Sequence, residues 1–190
     1  SLKNKKKSYE INSSLMGLHN YKNISLAILA CTQIGLSVNK CLDAVKSFKG
    51  VKRRMELVSE SKNLFIFDDF AHHPTAIKTT LEGLRAQVGN EKIIAVVEPA
   101  SHTMKRGTHA ETLGKSSQSA DETIWFQPDN IAWDMSALAN ERNKIIKDHE
   151  TLIETVLERV RYSKEKVNIV IMSNGAFGGV HSKIVEGLQT

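Results

Sequence analysis

The sequence holds no apolar run near the roughly 18 residues that span a bilayer, and its first residues lack the apolar core of a signal peptide. It has two cysteines, Cys31 and Cys41, ten residues apart and without metal-ligand spacing. That excludes a disulfide scaffold and predicts reduced thiols on the apolar faces of helices in a cytosolic protein. There is no HExxH pair, no GxGxxG fingerprint and no internal repeat. Gly114-Lys115-Ser116 matches the end of a phosphate-binding P-loop, but the position that needs the first glycine is His109, so the motif is absent. Charge of one sign is also scarce outside one tail. Of the net charge of +5, four units reside in Lys3, Lys5, Lys6 and Lys7; without them 22 basic residues face 21 acidic ones. A charge confined to a tail argues against a nucleic-acid footprint and for a solvated face.

What is present fits one substantial α/β core with a smaller piece attached. At 190 residues the chain can bury such a core, and 41% hydrophobic with 25% charged residues are the proportions of a globular protein. The Ser-Leu start is expected of an excised piece carrying a tag remnant. Residues 8–12 suit a short strand. Ile24, Ala27, Ile28 and Cys31 recur at helical spacing up to Gly35, and Ser37 can cap a second helix with Val38, Leu42, Val45 and Phe48 on one face. This pair has no strands of its own to pack on, so residues 1–48 are expected to be the helical tail of a preceding domain. Residues 49–190 are expected to form a separate one. Across it, apolar runs at 64–67, 93–97, 122–126 and 167–172 alternate with helical patterns. That alternation predicts a Rossmann-like, mostly parallel sheet with helices on both faces.

Three of these runs empty into polar chemistry. Leu64–Phe67 is followed by Asp68, Asp69, His72 and His73, and Pro74 then opens a helix with Ile77, Leu81, Leu84 and Val88 on one face. Adjacent strand residues point opposite ways, so one aspartate is expected to face a site and the other to serve the turn. Adjacent histidines seldom converge on one metal ion, so His72 and His73 are better read as hydrogen-bonding an anionic ligand or the loop. Ile93–Val97 leads to Glu98, Ser101, His102, Thr103 and Lys105. Val167–Met172 leads to SNGAFGG, residues 173–179, whose backbone N–H groups could cradle an anion before the last helix. Lys52-Arg53-Arg54 suits a phosphate, though such triplets are common on plain surfaces. Trp125 and Trp133 read as packing residues.

GLHNYKN, FKGVKRRME, DDFAHHPTAI, EPASHTMK and MSNGAFGGVHSK, in that order over residues 11–188, resemble the Mur ligases, the ATP-dependent amide-forming enzymes of peptidoglycan synthesis. Within the family the last two segments look like the members that join UDP-N-acetylmuramate to the murein tripeptide L-alanyl-γ-D-glutamyl-meso-diaminopimelate in recycling. They look less like the members that add L-alanine. The resemblance implies the end of the central ATPase domain in residues 1–48 and the C-terminal domain in residues 49–190. It implies adenine contacts for His19, Asn20 and Asn23, phosphate contacts for Arg54 with Arg53, and a ribose contact for Asp69. It implies peptide contacts for His72, His73, Ser101, His102, Lys105, Ser173, Asn174 and Phe177.

ATP and Mg²⁺ would be held mainly by a central domain outside this chain, with no metal site here. The partners implied are UDP-N-acetylmuramate, the tripeptide and the rest of the polypeptide, with neither nucleic acid nor membrane. Ala100 and His102 stand where the family pattern EPRSNTMK has Arg and Asn, so a peptide carboxylate would need another cation, Lys105 or His102. The competing readings are the equivalent domain of the L-alanine-adding enzyme and a freestanding basic α/β module that binds nucleic acid.

Overall fold

Parallel strands buried on both faces read as unbroken β-branched and aliphatic runs, and the centre of this molecule is built from two of them. The computed structural model describes residues 2–4, 7–15 and 17–188, with side chains described from Lys7 onward except Met16. Lys5, Lys6 and the side chain of Lys3, part of the basic tail, lie outside the described residues. The chain divides after Val51 into two units.

The first unit has a short antiparallel hairpin, β1 (Leu2–Asn4) and β2 (Lys7–Tyr9), followed by helices α1 (Leu18–Gln33) and α2 (Val38–Ser47). Strand β2 overlaps only the start of the segment expected at 8–12. The Ser37 side chain caps α2 by accepting from Lys40 N–H, and Gly35 at φ 96 lets the chain turn out of α1. Ile11, Ile24, Ile28 and Cys41 make a small core, on which Cys31 and Val45 pack.

The second unit is a six-stranded sheet in the order β3-β4-β8-β5-β6-β7. Its strands are β3 (Glu56–Ser61), β4 (Leu64–Asp69), β5 (Lys92–Val97), β6 (Glu122–Phe126), β7 (Asn143–Ile146) and β8 (Val167–Met172). Only β3 runs antiparallel, hairpinned onto β4 with a bulge between Leu57 and Ser59. As an edge strand it leaves Leu57 and Val58 exposed. Strand β4 does not stop at Phe67 but runs through both aspartates, because Asp68 and Asp69 stay in register with Ile171 and Met172 of β8.

Between the strands lie α3 (Pro74–Val88), the short α4 (His102–Lys105), α5 (Ala110–Ser116), α6 (His149–Arg161) and α7 (Val180–Gly187). Helices α6 and α7 cover one face, where Leu152, Val156, Val180 and Ile184 pack on Ile66, Ile94, Ile124 and Ile169. The residues alternating with those, Phe67, Ala95, Trp125 and Val170, point the other way, toward Ile77, Leu81 and Leu84 of α3 and Leu113 of α5. The architecture is the mostly parallel α/β sheet with helices on both faces that the run spacing predicts. Pro74 sits in the first turn of α3, where its missing N–H costs nothing, and β8 lies between β4 and β5. Among the described residues no helix is long and apolar enough to cross a membrane.

Candidate functional site

The carboxyl ends of β4, β8 and β5 lie side by side, the place where open α/β sheets gather ligand-binding groups. Backbone bonds tie the three ends together: Ser173 N–H donates to Asp69 O at 3.1 Å and Glu98 N–H to Met172 O at 2.9 Å. Strand alternation then sends the two aspartates apart. Asp68 emerges on the α7 side, where Arg53 Nε comes within 3.3 Å and His181 Nε2 within 3.1 Å, although the His181 N–H is not aligned for a hydrogen bond. Asp69 emerges on the α3 side and is 3% exposed. It accepts from Met55 N–H and Ala71 N–H, both at 2.8 Å, and from the Thr80 hydroxyl at 3.4 Å. Burial pushes its carboxyl above the usual range, opposed by those hydrogen bonds and by the nearby Arg54 charge.

Asp69 is therefore the structural aspartate of the pair, with three of about four acceptor directions taken. Any bond to a ribose hydroxyl has one direction left.

The turn before β3 is fixed onto this end of the sheet. Arg53 and Met55 adopt left-handed φ values of 57 and 50, a conformation costing about 1 kcal/mol each for side-chain-bearing residues. The Arg53 carbonyl accepts from Phe70 N–H at 2.8 Å, and Glu56 accepts from Arg53 N–H at 2.8 Å. The Arg53 guanidinium is committed inward, donating to the Ser173 carbonyl at 2.6 Å as well as pairing with Asp68. This differs from the expectation that Arg53 reach a phosphate. Arg54 is exposed, beside the Phe70 ring at 5.8 Å, and carries no ion pair among the described residues. It is the guanidinium of the pair that an anion could take.

The two histidines organise the loop after β4. His72 Nδ1 donates to the Phe70 carbonyl at 2.9 Å, which leaves Nε2 as an acceptor when the ring is neutral. His73 caps α3, its Nδ1 accepting from Thr75 N–H at 3.3 Å, with its ring 4.3 Å from that of His109. Burial, then the charges of His109 and His72, hold the His73 pKa below its usual value.

On the neighbouring loop Ser101 starts α4 and lies 3.4 Å from the Thr103 hydroxyl. His102 is exposed and Lys105 half-buried, both without side-chain partners among the described residues. After β8, the buried Ser173 hydroxyl donates to Glu98 Oε2 and accepts from Gly175 N–H at 2.9 Å. Asn174 Oδ1 is buried without a partner. Phe177 corrects the sequence reading. It is 2% exposed and packs in the α6–α7 core against Phe126 and His149, at ring separations of 5.4 and 5.9 Å. Three successive positive φ values, at Phe177, Gly178 and Gly179, reverse the chain and put that ring beneath the sheet edge rather than in the site.

In the first unit, Asn20 and Asn23 line an apolar groove with Ile24, Ile28, Leu36 and Phe48, whereas His19 is exposed outside it. Three groups at this end of the sheet were assigned no role of their own from the sequence. Asp68 was one of two equivalent candidates, and Glu98 was visible only as the first polar residue after an apolar run. His181 lies in the MSNGAFGGVHSK segment, but only the fold carries the first turn of α7 to Asp68. Among the described residues no three His, Cys, Asp or Glu side chains group to hold a metal ion.

A family model described as Mur ligase, glutamate ligase domain, matches residues 53–175. The chain belongs to the Mur ligase family. It is 40% identical over 183 residues, 94% of its length, to the UDP-N-acetylmuramate–L-alanyl-γ-D-glutamyl-meso-2,6-diaminoheptandioate ligase of Escherichia coli K12. The chain spans only 39% of that relative. A murein peptide ligase from Psychrobacter arcticus superposes with a TM-score of 0.68 at 37% identity, covering 97% of this chain and 40% of that one. A solved domain assigned to the same class of ligase, from Haemophilus ducreyi, matches with a TM-score of 0.57 at 36% identity. It covers 71% of this chain and 99% of its own. The turn at Arg53, the two aspartates and Ser173 all fall within the family match.

Proposed function

We propose that this chain is the C-terminal part of an ATP-dependent ligase that joins UDP-N-acetylmuramate to L-alanyl-γ-D-glutamyl-meso-diaminopimelate in the bacterial cytoplasm, as a step of peptidoglycan recycling. The observation that carries the reading is the extent of the match to the E. coli ligase: 40% identity over a span that takes in 94% of the chain and therefore part of both units. On this reading residues 1–48 close a central ATP-binding domain and residues 49–190 are the C-terminal domain, a boundary close to the division after Val51. Bound ATP supplies the phosphoryl group that activates the carboxylate of UDP-N-acetylmuramate.

The chain's own residues bind and orient. The free guanidinium of Arg54 suits a phosphate oxygen. The amides of Asn20 and Asn23, at the rim of an apolar groove, suit a purine edge and face. Asp69 has one acceptor direction for a ribose hydroxyl and otherwise holds the turn that aims Arg54. On this reading His72, His73, Ser101, His102, Lys105, Ser173 and Asn174 serve the incoming peptide, and the unpartnered Lys105 and His102 suit its carboxylates. Mg²⁺ falls to residues outside this chain.

The test uses the full-length protein with ATP, UDP-N-acetylmuramate and either tripeptide or L-alanine, and identifies the product by mass. The tripeptide adduct is expected; an L-alanine product would instead make this the corresponding part of the L-alanine-adding enzyme. The 190 residues alone, which contain no P-loop, are expected to turn over no ATP. Salt-dependent binding to nucleic acid that survives removal of residues 1–7 would favour the nucleic-acid module.

A further inference from the structure

Glu98 is the first residue beyond β5, held by its N–H to the Met172 carbonyl, so its half-buried carboxylate stands among the carboxyl ends of the central strands. Oε2 accepts from the Ser173 hydroxyl. No Lys, Arg or His forms an ion pair with Glu98 among the described residues. His181 feels its charge, but burial holds that ring's pKa down, and its nitrogen lies against Asp68. Asp68, by contrast, has Arg53 at 3.3 Å and His181 at 3.1 Å. A half-buried carboxylate without a paired cation is an expensive arrangement unless something else supplies the charge. The loop after β8, which carries Ser173, also holds an acceptor without a donor, the buried Asn174 Oδ1. Small residues keep the approach to Glu98 open: a Cβ on Gly175 would stand 3.5 Å from Oε2 and 3.9 Å from Ala100 Cβ.

We propose that Glu98, with Asn174, binds an ammonium group of the incoming peptide. The inference rests on the tripeptide-ligase reading. An ammonium carries three donors and a compact charge, which matches two acceptors lacking a paired cation. ATP and UDP-N-acetylmuramate are anionic and offer no such group, so Glu98 discriminates among the three substrates by charge. The tripeptide has two candidate ammonium groups, the α-amino group of its alanine and the free amine of diaminopimelate.

The experiment measures KM for each substrate in the full-length enzyme and its Glu98→Gln variant, which keeps an acceptor for Ser173 but removes the charge. The expected result is a KM for tripeptide raised roughly ten- to a hundredfold, with the KM values for ATP and UDP-N-acetylmuramate unchanged. Repeating it with the dipeptide L-alanyl-γ-D-glutamate separates the two sources. A rise for both peptides assigns the α-amino group, and a rise for the tripeptide alone assigns the diaminopimelate amine. Should Glu98→Gln not fold, as judged by thermal unfolding, Asn174→Ala carries the test, with a several-fold rise in the same KM. A wild-type enzyme that makes the tripeptide product while Glu98→Gln, or Asn174→Ala where Glu98→Gln does not fold, leaves the peptide KM untouched or moves all three KM values together overturns the proposal. A wild-type enzyme that makes no tripeptide product overturns the reading beneath it, and the inference with it.

Discussion

At the scale of single residues, the site turns on which of two adjacent aspartates meets which neighbours. Alternation along a strand made it legible that Asp68 and Asp69 would part, but which became structural depended on what β8, α3 and α7 brought alongside. His181 is the consequence. Burial lowers its pKa from the usual 6.5, outweighing the opposing pull of the Asp68 carboxylate; Arg53 lowers it further and Glu98 raises it. The folded chain therefore refuses a proton that the unfolded chain takes up as the pH falls through 6.5. Stability is full above that value and declines from there down through the folded pKa. His181→Gln removes this component, so wild-type stability should fall more steeply than the variant's between pH 6.5 and 5.5. The difference should reach at most about 1.4 kcal/mol per pH unit. Urea unfolding at stepped pH measures it. His73 shifts in the same direction and Asp69 in the opposite one, but both persist in the variant, so the comparison isolates His181. Parallel curves would mean that His181 is already charged in the fold.

At the scale of elements, the strands with unbroken aliphatic runs were plain in the sequence, as were the helices with a cap and an apolar stripe. What stayed hidden was short or edge-bound. Strand β7 has four residues, Asn143–Ile146, and only Ile146 is buried, so it carries no run and no alternation strong enough to stand out from its loop. Helix α4 is a single turn whose position is set from outside: Trp133 Nε1 donates to the Met104 carbonyl at 2.8 Å, and Ala132 N–H donates to the Lys105 carbonyl at 2.8 Å. Gly107, at φ 77, makes this closure possible, because a Cβ there would stand 2.8 Å from the Trp133 ring. Gly107→Ala combines a left-handed backbone with that clash and should destabilise the protein by about 1–3 kcal/mol. It should also displace α4, which carries His102 and Lys105. Thermal unfolding tests the first expectation and a shift in Trp133 fluorescence the second; a variant with wild-type values in both would show that the loop relaxes freely.

At the scale of the molecule, the chain divides after Val51, near the place where the texture changes from two helices to alternating strands and helices. In the sequence, the first unit's helical pair has no strands of its own to pack on, which is why it reads as the tail of another domain. Among the described residues its core is four residues with a few partly buried neighbours, while Leu18, Leu26, Ile34 and Phe48 remain exposed, Ile34 by 80%. A segment of about 50 residues buries too little apolar surface to offset the entropy of ordering its chain unless metals, disulfides or other protein assist. Neither cysteine is paired, and none of the described residues groups to hold a metal. The second unit has the opposite balance, with a two-sided core along β4, β5, β6 and β8. Residues 52–190 produced alone should therefore unfold in one cooperative transition, with a Tm within a few degrees of the main transition of the 190-residue chain. Residues 1–51 alone should show helical signal that melts gradually without a transition. Calorimetry on the two pieces decides: a cooperative peak from residues 1–51, or its loss from residues 52–190, would mean that the stability of the chain is distributed otherwise than its two cores imply.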